Sequence, residues 1–130
     1  MEITRETDYA IRCILYLSAK SGEINMIDAI AREMQIPKSF LAKILQKLAR
    51  ASLVKSFRGV KGGFQLARLP AEISLLDVLE AIEGEVSMNA CALDRTLCDR
   101  SKICPVHPAW VDIRKDVRKI LGKYNFAQFS

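Results

Sequence analysis

The chain has 130 residues, half of them apolar, with 20 basic and 15 acidic side chains, one histidine and a net charge of +5. That length holds one domain, or one compact unit with an appendage, and enough apolar residues to bury a core without a disulfide staple. No run reaches the roughly 18 apolar residues of a membrane span, and neither a P-loop nor a dinucleotide-binding glycine pattern points to an enzyme.

The start does not read as an export signal: Glu2, Glu6 and Asp8 come first, and Arg12 interrupts the apolar run from Tyr9 to Ala19. A reducing cytoplasm is the expected compartment. Residues 3–20 predict a first helix, with Ala10, Ile14 and Leu17 at helical spacing, Thr4 or Thr7 as N-cap and Gly22 at its end. Cys13 falls on its apolar side, where a small core residue is expected. A short second helix is predicted from Met26 to Met34, capped by Asn25, with Ile27, Ile30, Ala31 and Met34 inward. Pro37 then opens a third helix, at a first turn where a missing N–H costs nothing, and this helix runs to about Ala51. Leu41, Ile44, Leu45 and Leu48 form its apolar stripe. Ser39, Lys43, Gln46, Lys47 and Arg50 fall on the opposite side, and Phe40 on the flank. Two short helices joined tightly, the second with a basic outer face, predict a helix-turn-helix whose second helix enters the major groove of DNA. Lys38, Ser39, Phe40, Lys43 and Lys47 are its candidate contacts.

A hairpin is predicted next: Leu53–Arg58, a turn over Gly59-Val60-Lys61-Gly62-Gly63, and Phe64–Arg68. The three glycines permit positive φ and a close approach of backbone to another surface. A hairpin directly after a recognition helix is a wing, and Arg58, Gly59, Lys61, Gly62 and Gly63 are its candidate contacts to an adjacent minor groove or to phosphates. Charge placement agrees. From Met34 to Ala71 there are eight Lys or Arg and no acid, whereas beyond Ala71 eight bases meet nine acids. A one-signed stretch in an otherwise mixed chain suits a surface that neutralises phosphates; the plainer reading is a solvated basic face.

Ser74-Leu-Leu-Asp77 is a variant capping box for a fourth helix that ends at Gly84. Then come Cys91, Cys98, Cys104 and His107, spaced C-x6-C-x5-C-x2-H in an irregular loop. Three thiols and a histidine suit a four-ligand site, for zinc or for an iron–sulfur cluster. A metal-free thiol/disulfide switch is the other option. Pro108 starts a last helix to about Gly122, in which Trp110, Ile113, Val117, Ile120 and Tyr124 step by 3, 4, 3, 4. That seam is expected to pair with its copy in a homodimer, giving two recognition helices for a palindromic double-stranded DNA operator. The fold expected is mainly α, a winged helix-turn-helix (residues 1–83) followed by a cysteine loop and a long dimerisation helix (residues 84–130).

Thr7-Asp8-Tyr9-Ala10-Ile11-Arg12, Ile36-Pro37-Lys38-Ser39-Phe40-Leu41, Arg58-Gly59-Val60-Lys61-Gly62-Gly63-Phe64 and Cys104-Pro105-Val106-His107 occur in that order. Over nearly its whole length the chain resembles the Rrf2 family of bacterial winged-helix regulators, to which the iron–sulfur cluster regulator and the nitric-oxide-sensing repressor belong. The resemblance implies a dimeric regulator with an iron–sulfur cluster, 2Fe-2S or 4Fe-4S, near the dimer interface, and with Cys91, Cys98 and Cys104 as thiolate ligands. For the fourth ligand it offers His107, as in the cluster regulator, or Asp8 of the partner subunit, as in the nitric-oxide sensor. The first gap is six residues rather than the family's usual five, which adds slack to the loop.

Overall fold

Thr4 accepts a hydrogen bond from the backbone N–H of Thr7 and so caps α1, Arg5–Ala19. The computed structural model describes residues 2–87, 89, 92, 94, 96, 99–100 and 102–129. Ala10, Cys13, Ile14 and Leu17 of α1 are buried, as their spacing requires. The second helix, α2, is Ile27–Met34; Gln35 stops it in the left-handed conformation, φ 55° and ψ 50°. Here the structure departs from the sequence reading. Asn25 does not cap α2; its backbone is taken up in a two-way pairing with Phe64, both N···O distances 2.8 Å, and its side chain turns to the carbonyl of Glu23. Met26 holds the cap position without a side-chain bond.

Pro37 precedes α3, Lys38–Arg50, whose Leu41, Ile44, Leu45 and Leu48 are all fully buried. Strands β1 (Val54–Phe57) and β2 (Gly63–Leu66) pair antiparallel, with Val54 opposite Leu66 and Phe57 opposite Gly63. The Asn25–Phe64 pairing adds a third extended segment on the far side of β2, so the hairpin is fastened to the start of α2. A short 3-10 turn, Pro70–Glu72, leads to α4, Leu75–Glu83, whose capping box is complete: Ser74 and Asp77 each accept the other's backbone N–H.

The last helix, α5, is His107–Lys123, starting one residue before Pro108. Beyond it the chain comes back. Phe126 N–H donates to Ile73 at 3.0 Å, Leu75 N–H donates to Tyr124 at 2.9 Å, and the Phe126 ring is fully buried in the core with α1. The mainly helical winged architecture is as expected, with one core shared by α1 to α4, the hairpin and Phe126. No described helix is long and apolar enough to cross a membrane.

Candidate nucleic-acid interface and metal-ligating segment

Burying Leu41, Ile44, Leu45 and Leu48 turns the other side of α3 to solvent, and Lys38, Ser39, Phe40, Lys43, Gln46 and Arg50 are exposed there. Two features of this face come from outside it. Lys38 pairs with Asp28 of α2 at 2.7 Å, and Lys47 pairs with Glu6 of α1 at 2.7 Å. The acid-free stretch therefore receives acids in three dimensions. Lys47 is the least exposed of these lysines, whereas Lys38 and its partner Asp28 are both open to solvent. Phe40 stays half-exposed but meets the Tyr9 ring edge-on, with centroids 6.3 Å apart. Arg12 lies 5.3 Å over the Tyr9 ring and binds Asp8 at 2.9 Å, so α1 buttresses the exposed start of α3.

At the wing, Gly59 takes φ +102°, a conformation that needs glycine, and accepts from the N–H of Gly62 at 3.0 Å. Gly62 and Gly63 also meet a demand inside the chain. A Cβ on Gly62 would collide with the carbonyl of Phe57, and one on Gly63 with the carbonyl of Asn25. These glycines thus allow a close approach of this chain's own backbone segments. Arg58, Val60 and Lys61 are left to project, with Val60 97% exposed.

The metal-ligating candidates divide. Cys91 and Cys98 lie outside the described residues. Cys104 is a free, half-buried thiol. Its N–H donates to Arg100 at 2.7 Å, and its carbonyl accepts from His107 N–H at 3.3 Å, so successive turns carry Cys104 and His107 into α5. His107 is only 6% exposed and is the one buried residue of α5; its Nδ1 has no hydrogen-bond partner among the described residues. A buried imidazole nitrogen without a partner is costly, and a metal ion is one group that would satisfy it. Asp8, by contrast, is exposed and already engaged by Arg12. The donor types and the orphaned Nδ1 thus fit a thiolate–imidazole metal centre, although the described residues alone hold no group of three or more ligating side chains. Cys13, buried and remote, is not part of it: burial pushes its thiol from the ordinary 9.0 up to about 12.

Sequence reasoning missed a cluster between α4 and α5. Arg118 grips both carboxylate oxygens of Glu80, at 3.0 and 3.3 Å, and the hydrogen bonds to Glu80 raise the Arg118 pKa. Arg114 donates to the Val86 carbonyl at 2.8 Å and to Glu85 at 3.1 Å. Thr7, fully buried in α1, donates to Glu83 at 2.7 Å. Nothing in local sequence spacing marks partners so far apart.

Residues 3–130 match the family described as Rrf2, iron-dependent transcriptional regulator. The chain belongs to the Rrf2 family. A putative HTH-type transcriptional regulator of Azotobacter vinelandii is 33% identical over 129 residues, 98% of this chain and 77% of that protein. The HTH-type transcriptional regulator NsrR of Bacillus subtilis is 31% identical over 95% of this chain and 86% of its own. The aau3 protein of Rhizobium meliloti is 41% identical, but over 70% of this chain and 59% of its own length. Among solved structures, CymR, the global cysteine regulator of B. subtilis, superposes with a TM-score of 0.77 at 25% identity, covering 99% of this chain and 95% of CymR. IscR of T. potens gives 0.74 at 22% identity, covering 99% and 85%. This Rrf2 chain is accordingly a transcription regulator rather than an enzyme, and DNA binding follows from the family.

Proposed function

We propose that this Rrf2 regulator binds a palindromic double-stranded operator as a homodimer and responds to redox, nitric-oxide or iron–sulfur status through an iron–sulfur cluster. Residues 1–83 form the DNA-binding unit, and residues 84–130 the sensing and dimerisation segment. On DNA, Lys38, Ser39, Phe40 and Lys43 face the major groove, with Lys47 behind them, and Arg58 and Lys61 reach the adjacent minor groove or its phosphates. Gly59, Gly62 and Gly63 set the wing's shape. Cys91, Cys98 and Cys104 hold the cluster, with His107 as fourth ligand in preference to Asp8 of the partner subunit. The observation that carries this reading is the buried His107, whose Nδ1 has no partner among the described residues and which sits one turn after the free Cys104. Support for the dimer comes from α5, where Ile113, Ile120 and Tyr124 of the apolar seam are exposed.

When bound, the cluster supplies a redox-active, oxidant-sensitive centre. The chain's own residues carry the response: the Cys104–His107 turns run directly into α5, and α5 is pinned to α4 in the winged unit by Arg118 on Glu80. A coupling of about 1–3 kcal/mol between loop order and wing orientation changes operator affinity several-fold to hundred-fold. A second reading keeps the same fold but puts structural zinc, or a metal-free thiol/disulfide switch, in the loop. The likeness to CymR, the global cysteine regulator of B. subtilis, and to Staphylococcus aureus CymR, solved in an oxidised form, favours including it.

The test is an absorption spectrum of anaerobically purified protein with iron, sulfide and zinc assays, repeated for Cys104→Ala and His107→Ala. Visible bands with iron and sulfide, lost in Cys104→Ala, support the cluster. A colourless protein with one zinc per chain supports the structural site. Metal-free protein that loses titratable thiols reversibly on oxidation supports the disulfide switch.

A further inference from the structure

Val86 is where the chain leaves the winged unit, and each of its backbone polar groups is held by a different helix. Gly84, at φ +82°, turns the chain away from α4. The Val86 side chain is buried, its N–H donates to Glu80 Oε2 of α4 at 3.3 Å, and its carbonyl accepts from Arg114 Nε of α5 at 2.8 Å. Glu80 is in turn held by both guanidinium contacts of Arg118. Arg114 is mostly buried, unlike the exposed Glu85 that it also meets. Arg114 follows His107 by seven residues, two helical turns, so the two side chains share one face of α5. The exit point of the cysteine segment is thus bolted to the helix that begins at its re-entry point.

The geometry points to Arg114 as a positioning residue for the metal-ligating end of the chain. Resting on the cluster reading above, the inference is that Arg114 fixes where Cys104 and His107 stand relative to Val86, and that ligand affinity depends on this. A segment whose ends are already held has its closure entropy removed before any ligand binds. Without the bond from Nε to Val86, α5 keeps its contacts with α4 but loses the tie to the exit point, so the ligand pair is no longer held in register. Among the described residues the polar partners of Arg114 are Val86 and Glu85, neither of them a candidate ligand; its effect runs through the backbone of Val86 and the axis of α5.

Four full-length proteins separate this from a merely structural role: the unaltered chain, Arg114→Gln, Arg114→Lys and Glu85→Gln. Each is reconstituted anaerobically with iron and sulfide, and the visible absorbance is followed during challenge with an iron chelator. Thermal unfolding of the metal-free proteins is measured in parallel. Arg114→Gln is expected to bleach about tenfold faster, the scale typical of groups that orient metal ligands, with Arg114→Lys between it and the unaltered chain. Glu85→Gln, which leaves the Val86 bond intact, should stay within about twofold. The metal-free melting temperatures should agree within about 4 °C. Equal bleaching of Arg114→Gln and the unaltered chain overturns the positioning role while leaving the cluster reading intact. A fall in metal-free stability as large as the change in bleaching also overturns it, because Arg114 would then only support the fold. An unaltered chain that takes up no iron overturns the cluster reading and this inference together.

Discussion

The winged unit and the arm that follows it are stabilised in different ways. From α1 to α4 every helix puts buried aliphatic side chains into one core, from the single Ile30 of α2 to the four-residue stripe of α3, and the hairpin is fastened at Asn25. In α5, seventeen residues long, only His107 is buried; the helix is attached by guanidinium bonds, and its apolar seam is half open. Apolar burial needs no partner outside the chain and stabilises at about 25 cal/mol per Å². An arm held by polar clamps, whose helix begins at an imidazole with no Nδ1 partner among the described residues, leaves room for something else to complete it. On the function proposed above, the DNA-reading region is thus built from core, and the sensing region from contacts that can be completed or lost.

The comparison can be broken most forcefully in the core. Ile44→Ala or Leu48→Ala should cost about 2–5 kcal/mol in urea denaturation, whereas Ile120→Ala on the open seam should leave monomer stability within about 0.5 kcal/mol and act on the oligomeric state seen by sedimentation. Equal losses at both places would abolish the distinction. Gly63→Ala comes next. The new methyl meets the Asn25 carbonyl, so the wing should shift from α2, costing about 1–3 kcal/mol and at least tenfold in operator affinity by fluorescence anisotropy. Smaller is Ser74→Ala, which removes half of the capping box at the head of α4 and should cost about 1 kcal/mol.

Cysteine chemistry sharpens the contrast. With its pKa raised to about 12, Cys13 remains a neutral thiol and should resist alkylation in the folded protein at pH 8–9, while Cys104 reacts. The sign follows from linkage: the buried neutral thiol contributes its full stability below the ordinary 9.0, and that contribution falls as pH rises from there towards 12. Least is expected of Asp28→Asn. Both members of its pair with Lys38 are more than half exposed, so stability should move by under about 1 kcal/mol. Operator binding should tighten modestly as a negative charge leaves the recognition face, with the gap narrowing at high salt.

How much of this was legible beforehand depends on the range of the interaction. The buried stripe of α3, a threonine cap for α1, the Ser74–Asp77 box and the existence of the hairpin rest on residues a few positions apart, and periodicity or spacing reveals them; the register does not follow from spacing, since Gly63, expected in the turn, pairs with Phe57. The Asn25 cap failed because a cap needs the residue's side chain at a helix start, and the demand of Phe64 for a backbone partner settled its role instead. Lys47 carries its helical phase in the sequence but not its neighbour Glu6, which lies far upstream. Glu80, Arg114 and Arg118 look like ordinary solvated charges until the helices are placed. For the candidate metal centre, the spacing exposed the donor set, while the burial of His107 needed the fold.

Phe126 gives the arm a mechanical character. Because the chain re-enters the core after Tyr124, α5 is a strut pinned at two places, at Arg114 and Arg118 along its length and at Phe126 beyond its end. A helix tethered at one end can absorb a disturbance by fraying or swinging. A strut seated against α1 through Phe126 has to pass displacement on, and the nearest element able to take it up is the helix whose Tyr9 supports Phe40 on the exposed face of α3.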